Sequence, residues 1–543
     1  MYWPKQPGIS VADGAVSDTL AIDGIGLSAM GGVVAAGHEK TAAAAVEILN
    51  QGGNAFDAAV AGVLASCVAE SVLTSVAGGG FLLAHTKDSE PVLFDFFTQT
   101  PASKQLVHPL DFYPICADFG DTVQEFHIGL GAMAVPGVLK GLVHVHQRLG
   151  CLSLEQVVKP AIALARQGVI VNDFFAYVYG LLKPILLATA GSRAIYAPQG
   201  ELLQTGDRLY MPDFADALEQ LVAGGIDAFW QTMAAQITHT QGGYLTAEDF
   251  ANYQVIERSP LCLDYHGTQL LTNPPPSAGG GLIACGLALL ADCGLDRHGS
   301  AEHLLALSQV MRFTNVARRD GYDARIQEPG IAADFLSAGH LGRYRRELRD
   351  AIASLNATTN KLGSTTHLSV IDSDGNAASV TTSNGEGSSY VIPGTGIMMN
   401  NMLGEEDLNP HGFHQWPPNQ RMSSMMAPTM VLREGRPYLV LGSGGSNRIR
   451  TAILQVISNL VDFDMPLETA VAAPRIHWEN DLFHLEPGFD QAALAHIMGS
   501  AEPIWWQTQN MFFGGVHAVG LDENGILHGA GDHRRRGAVA VAQ

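Results

Sequence analysis

The chain is 543 residues long and carries 53 acidic against 31 basic side chains, a formal net charge of -22. Hydrophobic residues make up 47% of it and charged ones only 15%, which provides for a large core and excludes a disordered polypeptide. The acid excess also excludes a nucleic-acid-binding role, because that role needs basic patches to displace counterions.

Taken in chain order, the start from Met1 to Pro7 lacks the basic stretch and apolar run of a signal peptide. The near-apolar stretch around Gly279 to Ala291 is too short and too glycine-rich to span a bilayer. A cytoplasmic protein without a membrane partner is therefore expected. The spacing of Ala42, Ala45, Val46 and Leu49 predicts an amphipathic helix over 39–51 that stops at Gly52-Gly53. A second helix follows, with Phe56, Ala59, Val60, Val63, Leu64 and Cys67 on one face. After Gly78-Gly79-Gly80 a strand is expected at Phe81–His85, continuing as Val92–Phe97.

The middle reads as mostly helical, with turns at Pro136-Gly137 and Pro274-Pro275-Pro276. A helix from His303 to Arg319 turns Leu304, Leu307, Val310 and Met311 inward, and Arg343–Arg349 is a basic helical segment. The polar stretch Leu355–Ser364 has no apolar periodicity and reads as an exposed loop. A β-hairpin starts at Thr365: strand His367–Ile371, turn Asp372–Asn376, strand Ala377–Ser383. No internal repeat or low-complexity tract is present. The six cysteines (Cys67, Cys116, Cys151, Cys262, Cys285, Cys293) form no Cys-x-x-Cys and are expected to be buried, reduced thiols.

Two local patterns carry chemistry. Gly363-Ser364-Thr365-Thr366-His367 places a hydroxyl pair where loop meets strand, which taken alone is a turn with capping hydroxyls. Gly442-Ser443-Gly444-Gly445-Ser446 is a glycine-rich turn, but Asn447-Arg448 follows where a phosphate-binding loop needs Gly-Lys-Ser/Thr. His411 and His414 have no further ligand at metal spacing, so no metal and no other cofactor is expected.

The order of several segments along the chain resembles the γ-glutamyltransferase family of N-terminal nucleophile hydrolases. These are Gly52–Ala59, the Gly78 run, Val135-Pro136-Gly137, Leu245–Asp249 with Glu257-Arg258, and Pro274–Ser277. The hairpin at Thr365 follows, then Asn400-Asn401, Ser423-Ser424-Met425, Gly442–Gly445 and Asp532–Arg535. The resemblance implies an α/β fold of four α-β-β-α layers and self-cleavage between Ser364 and Thr365. The pieces are then a large one of residues 1–364 and a small one of residues 365–543. Thr365 is the implied nucleophile, with its freed α-amino group as base. Gly445 and Ser446, or Gly444 and Gly445 one position earlier, supply the oxyanion N–H groups. Ser383, beside Thr382, is the hydroxyl that orients the nucleophile.

The family's substrate-binding asparagine falls on Gly385, so that Asn384 or Glu386 takes over its contact, unless the segment is a glycine turn with a capping asparagine. Glu405, within Glu405-Glu406-Asp407, is the implied ligand of the donor's α-amino group, and a second anchor is replaced by Met402. Ser423 and Ser424 match the serine pair for the donor α-carboxylate. Phe97 stands where the family places a carboxylate-clamping arginine, and an aromatic ring cannot make a guanidinium pair. Either Arg421 or Arg448 replaces it, or the donor lacks that carboxylate. The segment Leu408–Gln420 takes the place of the family's lid and is short.

The expected activity is cleavage of small γ-glutamyl amides, glutathione-like, through a threonyl acyl-enzyme resolved by water or an amine. The alternatives are a glutaryl- or cephalosporin-acylase-like amidohydrolase and a non-catalytic binding protein that kept the fold. The expected partners are the acyl donor, the acceptor and the two pieces of the chain.

Overall fold

The protein is described by a computed structural model covering residues 31–105, 108–118, 123–350, 364–479, 482–491, 494, 503–522 and 524–543. The chain start and residues 355–363 of the expected loop lie outside the described residues. Thirteen strands form the two main sheets. Before residue 364 come β1 (Gly32–Ala36), β2 (Gly79–Thr86), β3 (Ser89–Phe96), β4 (Ile256–Arg258), β5 (Leu261–Tyr265) and β6 (Thr268–Thr272). After it come β7 (Thr366–Asp372), β8 (Ala377–Ser383), β9 (Thr429–Arg433), β10 (Arg436–Gly444), β11 (Gly515–Leu521), β12 (Leu527–Ala530) and β13 (Ala538–Ala542).

One sheet runs β13-β1-β7-β8-β2-β3-β4 and the other β12-β11-β10-β9-β6-β5, antiparallel throughout. The helices that cover them are α1 (Glu39–Asn50), α2 (Ala55–Ala69), α3 (Leu154–Gln167), α4 (Ala278–Leu290), α5 (Ala301–Ala317) and α6 (Arg448–Val461). Alternation along the strands divides the core in two. Val34, Ala36, Leu368 and Val370 join the cluster that includes α1 and α2, whereas Val33, Ala35, Ile371, Leu439 and Leu441 join the one between the sheets and around α4 and α6. The result is four layers, α-β-β-α.

Local chemistry explains the helix ends. His38 caps α1 by accepting from the Lys40 N–H, and Asn54 opens α2 with a reciprocal capping box to Asp57. Three expectations change. All fifteen residues of α2 are buried rather than one face, because α2 lies between the first sheet and α1 and α3. The stretch expected as one strand over 81–97 is a hairpin, β2 pairing with β3. The described cysteines are all free, but only Cys67 and Cys285 are buried, while Cys116, Cys151 and Cys262 are exposed. Among the described residues no helix is long and apolar enough to cross a membrane.

Candidate active site

The Ser364–Thr365 peptide lies at the leading end of β7, in the middle of the first sheet. Register pairs Thr366 with Thr382, which brings the end of β8 alongside the residues before β7. The Ser383 hydroxyl donates to the Ser364 carbonyl at 2.6 Å and accepts from the Gly385 N–H at 3.0 Å. A cavity of about 300 Å³ opens here, its wall including Ser364, Thr365, Ser383, Glu405, Ser423 and Ser446.

The glycine-rich turn follows β10 from the second sheet. Gly445 and Ser446 both have positive φ, 127° and 50°, and Gly444 lies so close to β7 that a Cβ would meet the Thr365 carbonyl at 2.1 Å. Neither the Gly445 nor the Ser446 N–H has a hydrogen-bond partner among the described residues. The Ser446 hydroxyl donates to Asp407 at 2.9 Å. Arg535 donates to the Thr365 carbonyl at 3.3 Å, and burial pulls its guanidinium down to about 10. On the other side Glu70 accepts from the hydroxyls of Thr41, at 2.7 Å, and Thr366. Burial raises its carboxyl to about 7. Glu70 and Arg535 carry no role in the sequence reading. Arg535 sits in a segment already singled out, whereas Glu70 ends an apolar helix and gives no local signal.

Glu386 and Asn384 separate in function. Glu386 accepts from the Ser364 N–H at 3.1 Å and from the Ser364 hydroxyl, while Asn384 turns its amide to the Met398 and Met399 carbonyls, 3.4 Å each, inside its own loop. Asn384 lies off the cavity wall, and its buried Oδ1 has no hydrogen-bond partner among the described residues. Asn401 supports the same loop by accepting from the N–H groups of Glu386, at 2.8 Å, and Gly387, at 3.1 Å. Glu405 reaches the cavity wall, and its buried Oε1 has no hydrogen-bond partner among the described residues. Burial raises the Glu405 carboxyl well above its usual range, reinforced by Glu386 and Asp407, and burial raises Glu386 to about 7.

Ser423 and Ser424 both line the cavity. Ser424 is fixed by its backbone, its hydroxyl accepting from the Met426 N–H at 3.0 Å and its carbonyl from the Ala278 N–H at 2.8 Å. Phe97 is buried and stacks on Phe81 with ring centroids 5.3 Å apart. Of the two arginines expected as substitute cations, Arg421 lines the cavity and Arg448 does not. Arg421 donates to the Phe97 carbonyl, to the Tyr253 hydroxyl at 2.6 Å and to the Gln254 carbonyl at 2.6 Å, with its Nε 3.4 Å from Asp95. Arg448 is buried over the Phe512 ring, 4.4 Å from its centroid, and off the cavity wall. Arg318, on the wall, is paired with Asp323 at 3.0 Å.

Residues of 408–420 line the cavity, with Trp416 against Tyr244 and Lys104. Among the described residues no group of three or more metal-ligating side chains gathers, and His414 Nδ1 faces the Tyr244 hydroxyl at 3.0 Å.

Residues 41–542 match the family model described as gamma-glutamyltranspeptidase. The glutathione hydrolase proenzyme of Escherichia coli (strain K12) is 31% identical, with 93% of this chain and 90% of that protein covered. The acylase ACY 1 proenzyme of Pseudomonas sp. (strain SE83) is 32% identical, with 94% of each chain covered. The crystal structure of cephalosporin acylase from Bacillus halodurans superposes with a TM-score of 0.81 at 24% identity, over 94% of this chain and 96% of that one.

Proposed function

The chain belongs to the gamma-glutamyltranspeptidase family, and from that premise we propose that it is a self-cleaving amidase and acyltransferase with Thr365 as nucleophile. In the uncut chain the Thr365 hydroxyl attacks the Ser364 carbonyl carbon, and the Ser383 hydroxyl stabilises the oxygen that becomes negative. The amide gives way to an ester, which water hydrolyses, leaving pieces of 364 and 179 residues (543 minus 364). In turnover the new α-amino group of Thr365 takes the hydroxyl proton as it attacks an acyl donor. The N–H groups of Gly445 and Ser446 receive the oxyanion, and water or an amine resolves the acyl-enzyme.

The observation that carries this reading is the 2.6 Å bond from Ser383 to the carbonyl preceding Thr365, on the wall of the cavity. Thr365→Ala is expected to leave one band on a denaturing gel where the unaltered chain gives two, and two bands from the variant would remove Thr365 from the mechanism.

For the donor, a γ-glutamyl amide is the first reading: Glu405 receives its ammonium, and Ser423 and Ser424 receive its α-carboxylate. A second reading, an acylase taking donors without that carboxylate, is favoured by the buried Phe97 ring and by the Arg421 Nη groups, which already donate to protein oxygens. Release rates from γ-glutamyl and glutaryl anilides separate the two.

A further inference from the structure

Ser364 is held at every polar group it possesses. Its carbonyl accepts from Ser383, its N–H donates to Glu386 Oε1 at 3.1 Å, and its hydroxyl donates to Glu386 Oε2. Ser383 alone leaves the residue free to swing about the bond it makes, whereas the two further bonds fix the plane of the peptide that is to be cut. Glu386 is itself held by its backbone N–H on Asn401 at 2.8 Å and is 4% exposed. We propose that Glu386 is a positioning residue for self-cleavage, its carboxylate fixing Ser364 so that the Ser364 carbonyl faces the Thr365 hydroxyl. The proposal rests on the reading that the cut falls between these two residues.

The chemistry assigns the working form of the side chain. Both groups of Ser364 are donors, so the ionised carboxylate satisfies both, while the protonated acid gives up one acceptor site. The charged groups that face it are Glu405 from the segment after Asn401 and Arg535 from the turn before β13; beyond them Asp407 acts on Glu405, and Glu70 at the end of α2 acts on Arg535. Burial raises both carboxyls, and the Arg535 guanidinium is the cation that favours the ionised form of Glu386. During the cut the Thr365 hydroxyl oxygen bonds to the Ser364 carbon, the carbon–nitrogen bond breaks, and the hydroxyl proton ends on the departing nitrogen. Water then adds to the ester, releasing Ser364 as a carboxylate and restoring the hydroxyl. Glu386 exchanges no proton in these steps. The new Ser364 carboxylate lies beside Glu386, and repulsion between them drives the severed end out of the cavity.

The test follows the two bands with time in freshly made full-length chain between pH 6 and pH 8.5. Glu386→Gln is expected to slow the cut roughly ten- to a hundredfold at pH 8, the range that a small misplacement of reacting groups costs. The same variant is expected to lose the rise in rate on passing from pH 6 to pH 8 that the carboxylate provides. Ser364→Ala removes one of the two bonds without touching the loop, and is expected to slow the cut less, with no further loss when combined with Glu386→Gln. A Glu386→Gln rate within twofold of the unaltered chain, with the same pH profile, overturns the proposal. If Glu386→Gln does not fold, a Ser364→Ala rate equal to that of the unaltered chain overturns it instead. Cleavage that persists in Thr365→Ala sinks the reading of the cut and this proposal with it, whereas loss in Thr365→Ala with normal rates in the other variants sinks this proposal alone.

Discussion

A Cβ on Gly385 would lie 1.9 Å from Glu405 Oε1 and 2.2 Å from Asn401 Oδ1, and the residue has φ of +62°. The space that a side chain at 385 would occupy is filled by the carboxyl of Glu405. Gly385→Ala is therefore expected to destabilise the chain by about 2 kcal/mol or more, part from the left-handed backbone and part from the clash. Gly385→Ala with Glu405→Ala is expected to recover the Glu405 part of the clash while keeping the backbone strain and the contact with Asn401. Urea unfolding of the two variants checks this, and equal stability of Gly385→Ala and the unaltered chain would place Glu405 elsewhere. Counting along the chain finds position 385 and position 405 separately. That one replaces the other in space is invisible there, because they meet only when the loop after β8 folds onto the segment after Asn401.

At the level of elements, the end of β3 and the end of the 408–420 segment are joined by one side chain. Arg421 binds the Phe97 carbonyl, the Tyr253 hydroxyl and the Gln254 carbonyl, and shares Asp95 with Arg258, whose guanidinium is 2.8 Å away. Removing it takes the donor from the Gln254 carbonyl and one of two cations from Asp95, which keeps Arg258, so Arg421→Met is expected to cost about 2 kcal/mol. Arg421→Lys is expected to cost nearly as much, since an ammonium cannot span these separated acceptors. Thermal unfolding of both variants decides the matter, and a near-neutral Arg421→Lys would remove the claim that the fork geometry matters.

The elements whose signals are local were legible. The amphipathic spacing of α1, the second helix after Gly52-Gly53, the inward face of α5 and the hairpin from Thr365 all emerge where expected. The β2–β3 hairpin was not, because its turn at Lys87-Asp88 contains neither glycine nor proline and looks like a polar interruption of one strand. The arginine missing at Phe97 was legible by position, but the engagement of Arg421 depends on partners more than 160 residues away.

For the whole molecule, stability against acid follows from what the core buries. Burial lowers His38, His477 and His517 to about 4, His303 and His484 to about 3, and His367 well below its usual value. Below about pH 6.5 the unfolded chain protonates these rings and the folded chain does not, so stability falls as pH falls. Glu70, Glu386 and Glu405 act the other way, binding protons in the folded chain where the unfolded chain has released them. The six histidines outnumber the three acids between about pH 4.5 and 6.5, and each unmatched proton contributes about 1.4 kcal/mol per pH unit. The urea midpoint of the uncut Thr365→Ala chain is expected to drop on going from pH 7 to pH 5, and a constant or rising midpoint would contradict this balance.

The strand order gives the proposed cut an unusual kinetic meaning. In the first sheet β1 lies between β13 and β7, and β8 pairs with β2, so strands from before and after residue 364 are interleaved in it. Scission at Ser364 thus severs the chain while leaving two interleaved polypeptides that cannot separate without pulling strands out of a sheet. Dilution does not dissociate such a pair, because parting requires unfolding. The uncut chain folds in a first-order reaction, but the cut protein, once unfolded, returns only by a second-order encounter of two incomplete sheets. The precursor's continuity therefore serves as a template used once, and the mature protein persists by the height of its unfolding barrier rather than by its ability to fold again.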